Sequence, residues 1–269
     1  LNPLPSMPQP DSVKALFVIA ACVINSANLA VAQQTIRSVG RFHRSHDVLV
    51  VDNCPSSLKG SSGAQFTAWY TARAAARANT EKSNQTGRIY ASVQVRSGYQ
   101  TGAFAEGVRF IMQHQHTHLV ILQHSTPLAG PAFERENMPA CPTLMFVPWQ
   151  FYGGRQGLPL NISDSQFLTK THARLIPHGR SGSLIPANFL NSYKDAWVSA
   201  THGVMLLSRE MCSLLLRDGL LNDELLEASR DKGVWESLSG LYASYLGKAF
   251  KCDGVHVRSV TTKVHGGNP

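Results

Sequence analysis

Continuous apolar runs punctuate the first half of the chain, and amphipathic stretches separate them. Residues 13–23 are apolar almost throughout, rich in β-branched side chains, and closed by Asn25-Ser26. A run without alternation reads as a strand buried on both faces. Residues 28–42 then place Leu29, Ala32, Ile36 and Val39 on one helical face. The pattern repeats with a second strand over 47–51, which ends in Asp52-Asn53-Cys54-Pro55, and a polar Gly/Ser loop over 56–63. An Ala-rich helix follows over 66–79, a third strand over 89–95, a helix over 102–115 and a fourth strand over 119–122. This alternation predicts an α/β fold: a mostly parallel central sheet flanked by crossover helices. Ligands in such sheets bind at the carboxyl ends of the strands. That places residues 21–25, Asp52-Asn53, residues 96–102 and Gln123-His124-Ser125 around one crevice.

The second half is less regular. Residues 144–149 read as a strand, and residues 153–186 form a long Gly/Pro/Ser/Thr-rich excursion. A loop of that length without structure of its own points to a functional segment. An apolar stretch covers 196–207, helices are expected over 209–217, 223–230 and 235–248, and an alternating strand over 255–264. The resulting division is an N-terminal arm (1–12), a first half (13–130) and a second half (131–269) within one domain carrying a subdomain. No internal repeat, GxGxxG or P-loop is present.

Composition changes this picture only in part. The chain has 269 residues, 43% of them hydrophobic and 16% charged, which is ample for a sizeable core. The net charge of +8 favours anionic partners such as sugar nucleotides, nucleic acid or anionic membrane surfaces, although no block of consecutive basic residues concentrates it. The five cysteines form no CxxC pair, which argues against a zinc knuckle. Cys22 and Cys212 sit in apolar runs and read as core thiols in a reducing compartment, with a bridge between two of the others left open. No apolar run approaches the roughly 18–20 residues of a membrane span. The chain opens on Leu1 rather than Met. A cytoplasmic location is therefore expected, or a lumenal one if an N-terminal anchor has been removed.

The order of the pieces resembles a GT-A glycosyltransferase, the nucleotide-sugar-dependent fold, over roughly residues 13–265. The first strand, Asn25, a helix and VLVVDNCPSS look like the family's nucleoside-binding opening. SGYQTGAFAEGVRFIMQH resembles the glycine-spaced helix start of rhamnosyltransferase-like members through Gly98, Gly102 and Gly107, without the family's asparagines. HLVILQHSTPL corresponds to the strand that normally ends in a DxD metal motif. WVSATHGVMLLSREMCSLLLRDGLLND resembles the acceptor-side segment.

The resemblance implies transfer of a sugar from a nucleotide-sugar donor to a hydroxyl acceptor, inverting in outcome. It implies Asp52, Asn25, Gly98, Gly102, Gln123, His124, Arg209 and His265 as donor-binding residues. Glu236, beside Trp235, would be the acceptor base, with Asp223 and Glu224 as substitutes. Charge builds on the diphosphate as it leaves, so something positive must meet it. Gln123-His124-Ser125 offers no carboxylate to hold Mg²⁺ or Mn²⁺, although an imidazole beside another group can ligate Mn²⁺. His124 with cationic side chains, from among Arg96, Arg109, Arg209 and Lys263, would then take the metal's place.

Each residue also has a plainer reading. Asp52 can cap the turn that follows it. Glu236 can face the dipole of its own helix. The missing carboxylates can mark a sugar- or nucleotide-binding module without catalysis. His114, His116 and His118 would share one face if extended, as metal ligands do, or face solvent on a helix-to-strand connection. A third reading is a transferase acting on DNA bases. Phe151, Tyr152 and Arg155 would supply part of a base-stacking site, and binding would be steeply salt-dependent.

Overall fold

The computed structural model describes residues 13–54, 56–58, 60–78, 87–93, 99–131, 143–145, 173, 175–176, 182–191, 204–230, 232–251 and 256–258. The strands are β1 (Ala15–Ala21), β2 (Asp47–Asp52), β3 (Ile89–Val93), β4 (His118–Gln123), β5 (Thr143–Met145), β6 (Val204–Ser208) and β7 (His256–Arg258). The helices are α1 (Ser26–Phe42), α2 (Ser61–Ala78), α3 (Tyr99–Gln113), α4 (Ala187–Asn191), α5 (Arg209–Arg217), α6 (Asp223–Ala228) and α7 (Lys232–Ala249). The strands join one sheet in the order β3-β2-β1-β4-β6-β5-β7. β6 runs antiparallel to both of its neighbours and the other pairings are parallel. The fold is therefore α/β with a mostly parallel sheet, as expected.

The apolar runs became strands because both faces of the sheet are covered. On one face Leu16, Val18, Leu49, Val51, Leu119 and Ile121 pack against α3, α5, α6 and α7. On the other, Phe17, Ile19, Val48, Val50, Val120 and Leu122 pack against α1 and α2. Each such side chain, fully withdrawn from water, contributes about 1.5–3 kcal/mol before entropy is counted. α3 lies close on the sheet at Gly107: a Cβ there would come within 2.5 Å of Val18 Cγ2 and 3.2 Å of Leu119 Cδ1.

The amino-terminal edge of the sheet is tied by polar groups that the hydrophobic pattern does not announce. Asp47, 1% exposed, accepts hydrogen bonds from the Arg88 amide (2.7 Å) and His116 Nε2 (2.8 Å), and it pairs with Lys14 Nζ at 3.0 Å. Burial opposes ionisation of this carboxyl, yet its bonds to His116, Arg88 and Lys14 hold its pKa below the ordinary value. Gly87 donates to the Arg44 carbonyl at 2.8 Å, and a Cβ at Gly87 would lie 1.7 Å from the His46 carbonyl oxygen. No side chain fits there without moving backbone.

Several expectations are corrected. Residues 61–63, read as the end of a Gly/Ser loop, begin α2. The HQHTH histidines neither face solvent together nor gather as ligands. His114 is exposed and stacks on Phe110 with ring centroids 4.0 Å apart. His116 is buried on Asp47, and His118 is half-buried beside Thr117. Cys22 is not a core thiol, because it is disulfide-bonded to Cys54, whereas Cys212 is free and buried as expected. No helix among the described residues is long and apolar enough to cross a membrane.

Candidate functional site

The strand order fixes where a ligand crevice opens. From β1 the chain builds outward through β2 and β3 on one side, then returns to place β4 on the other. The carboxyl ends of β1 and β4 are thus the topological switch point, where adjacent crossovers diverge and leave a cleft. Backbone pairing to β1 continues past the ends of β4 and β2: His124 N–H donates to the Ala20 carbonyl (2.9 Å), and Asn53 N–H to the Ala21 carbonyl (3.1 Å). Residues 22–25, 52–54 and 123–125 are held side by side in this way.

His124 occupies the switch point. Its Nδ1 accepts from the Cys22 amide at 3.4 Å, and its carbonyl accepts from Thr35 Oγ1 at 2.7 Å. Burial lowers its pKa, against the raising influence of its bond to Ala20 and of Asp52. The imidazole is therefore neutral near pH 7. With Nδ1 accepting, the proton of the neutral ring sits on Nε2.

Gln123 donates from Nε2 to Gln100 Oε1 at 2.8 Å, joining the end of β4 to the first turn of α3. Gly102 is buried two residues further along that helix. Asp52, 2% exposed, accepts from the Cys54 amide and from Thr67 Oγ1, each at 3.3 Å. Asn25 is the N-cap of α1, its side-chain oxygen accepting from the Asn28 amide at 2.8 Å. Asp52 thus caps the turn, its plainer reading, while the helix-capping role of Asn25 is one the sequence reading did not assign.

Helix termini supply what side chains do not. α1, α2 and α3 each follow a strand that ends at this edge, and none has an acidic residue in its first turn. Gly60, just before α2, approaches the Ile24 carbonyl, so the start of α2 borders the end of β1. Helix amino termini carry partial positive charge and unpaired N–H groups that suit phosphate oxygens. Among the described residues no three His, Cys, Asp or Glu side chains are grouped to hold a metal ion. The donor set at the crevice, one buried carboxylate already accepting two bonds and one imidazole, does not fit the six oxygen ligands of Mg²⁺.

Arg209 corrects the expectation most clearly. It sits at the opposite edge of the sheet, where its backbone N–H meets the Thr117 carbonyl at 2.9 Å. Its guanidinium bonds the carbonyls of Ile111, Met112, His114 and His116, capping the end of α3. Arg109 is likewise tied to the Leu221 carbonyl at 3.3 Å. Neither guanidinium is available to a diphosphate in the crevice. Asp223 is exposed in the first turn of α6, which Asn222 caps. Glu224 accepts from Ser183 Oγ (2.6 Å) and the Leu184 amide (2.7 Å), so it anchors a loop. Trp235 and Glu236 fall on α7, but their side chains, like residues Gly98, Arg96, Phe151, Tyr152, Arg155, Lys263 and His265, lie outside what is described.

Sequence reasoning missed Thr35, Thr67 and Gln100, the polar residues that position the crevice, because nothing in their local pattern sets them apart. It also missed the Cys22–Cys54 bridge, which ties the ends of β1 and β2 beside His124.

No protein-family model and no curated protein matches the chain. Among solved structures it is similar to the bifunctional glycosyltransferase WbbM, with 11% identity and a TM-score of 0.37 over 94% of this chain; it spans 40% of that chain's length. It is also similar to a mannose-1-phosphate geranyltransferase from Thermus thermophilus, with 12% identity and a TM-score of 0.39 over 93% of this chain and 74% of the other. S. aureus TarS 1–349 gives 11% identity and a TM-score of 0.34 over 90% and 73%. At these values the likenesses carry nothing about chemistry.

Proposed function

We propose that the protein is a nucleotide-sugar-dependent glycosyltransferase that holds its donor diphosphate at the β1/β4 switch point. The observation that carries this reading is the placement of His124, its Nδ1 engaged by the Cys22 amide, at the switch point beside helix amino termini without acidic first-turn residues. The leaving diphosphate gains negative charge in the transition state, and donors already aimed at it stabilise that charge. With Arg209 and Arg109 engaged elsewhere, helix termini and His124 meet the diphosphate in place of those two arginines. Asn25, which is exposed, lines the nucleoside end, and the buried Asp52 holds the turn after β2 beside it.

Glu236 is the proposed acceptor base and Asp223 its alternative. Deprotonation of the acceptor hydroxyl by a carboxylate on the far side of the donor gives inversion. The Cys22–Cys54 bridge favours folding in an oxidising compartment over the cytosol.

The test is release of nucleoside diphosphate from a panel of UDP-, GDP-, CDP- and dTDP-sugars, with EDTA present and no acceptor added. Hydrolysis of one donor class, weakened at least about a hundredfold by His124→Ala, is expected for removal of an electrostatic donor. A Glu236→Gln variant would keep donor binding but lose acceptor transfer by about 10²–10⁴-fold. Binding of a sugar nucleotide without any turnover would instead mark a binding module.

A further inference from the structure

The α1/α2 face of the sheet carries a cavity away from the crevice. A cavity of about 250 Å³ is lined by Ile36, Arg37, Gly40 and Arg41 of α1, Arg73 of α2, and Val48 and Ile89 at the starts of β2 and β3. Its floor is apolar: Ile36, Val48 and Ile89 are 3%, 1% and 7% exposed. Arg37, Arg41 and Arg73 give it a cationic lining. Arg37 and Arg41 are four residues apart and share one helix face. Arg37 and Arg73 both lie over the Trp69 indole, at 5.6 and 5.0 Å from its centroid, and Arg41 lies over Phe42 at 5.2 Å.

An aromatic face holds a guanidinium by its flat side and leaves the N–H edge free, which is the edge that forks onto phosphate oxygens. Among the described residues no carboxylate pairs with any of the three; the ion-paired arginines there are Arg217 and Arg230. Three like charges around one cavity repel unless an anion joins them.

We propose that this cavity binds the phosphate group of a phosphomonoester, with Arg37, Arg41 and Arg73 as its ligands. The site is separate from the donor crevice. Arg37 stands twelve residues past Asn25 on a helix rising about 1.5 Å per residue, so roughly 18 Å divides the two. The cavity is smaller than the about 300–1,000 Å³ of pockets for drug-sized ligands, which suits one phosphate and a short apolar stem. The phosphate has two sources, a soluble ester or a lipid headgroup.

The test titrates the full chain with inorganic phosphate by calorimetry at constant ionic strength. The Arg37→Ala/Arg73→Ala variant is compared with Arg217→Gln/Arg230→Gln, which removes the same charge from exposed positions elsewhere. Circular dichroism in phosphate-free buffer checks that each folds. Wild type and the charge-matched variant bind alike, and the Ala pair weakens binding at least about tenfold. Arg37→Lys/Arg73→Lys keeps the charge without the fork and falls between them. No binding, equal binding by the Ala pair, or equal weakening in the charge-matched variant overturns the proposal. Co-sedimentation with phosphatidylcholine vesicles, with and without phosphatidic acid, then separates the sources. Capture that needs phosphatidic acid and Arg37 with Arg73 assigns a lipid headgroup, and no capture beside intact phosphate binding assigns a soluble ester.

Discussion

Arg209 shows how a single side chain can be given over to architecture. The last carbonyls of a helix lack intrahelical partners. One guanidinium satisfies those of Ile111 and Met112 together with His114 and His116 just beyond. Arg209→Met leaves them unpaired in a half-buried place, and a loss of about 2–4 kcal/mol in urea unfolding is expected. Nucleotide affinity should stay unchanged, and an affinity loss without a stability loss would return Arg209 to the donor site. The amino-terminal edge also sets the acid sensitivity. Burial lowers His43 to about 4, with His46 adding to the effect, and burial lowers His118 to about 4 against the pull of Glu210. Between the ordinary 6.5 and about 4 the unfolded chain binds protons that the folded chain refuses. Stability is therefore full above pH 6.5 and falls as the pH drops toward 4, on the order of 2 kcal/mol from each histidine. A flat urea midpoint between pH 7 and pH 4.5 would contradict this.

At the scale of elements, the strands were legible where burial on both faces made the sequence monotonous. β1, β2 and β4 are continuous apolar runs for that reason. The start of α2 was not, because Ser61, Ser62 and Gly63 read as loop residues although helix starts accept such residues. The five-residue α4 is too short to carry a period. The bridge between Cys22 and Cys54 was hidden by a sequence separation of 32 residues. It follows only from β1 and β2 being parallel neighbours that end together. By chain entropy such a loop contributes about 3–4 kcal/mol. Reduction should lower the melting temperature by about 6 °C for a chain of this size. Alkylation and peptide mapping without reductant should find Cys22 and Cys54 joined; both found as free thiols, with no response to reductant, would remove the bridge and the compartment it suggests.

For the whole molecule, the α/β class and the four-strand parallel half were readable from alternation alone. The placement of β6 between β4 and β5 was not, since antiparallel insertion depends on pairings distant in sequence. The crevice was legible in outline for a related reason: strand ends are where apolar runs stop, so Asn25, Asp52, Gln123 and His124 were all nameable. What each does there was not, because Cys22, Gln100, Thr35 and Thr67 reach them from other segments. The account rests on that crevice binding a nucleoside diphosphate through His124. The most direct measurement is the melting temperature of wild type and His124→Ala with UDP, GDP, CDP and dTDP, each with EDTA. A ligand held by the folded state alone at a hundred times its Kd adds about 2.7 kcal/mol. One nucleotide should raise the wild-type melting temperature despite EDTA and leave His124→Ala unmoved. No shift with any nucleotide, or the same shift in both proteins, would contradict the account.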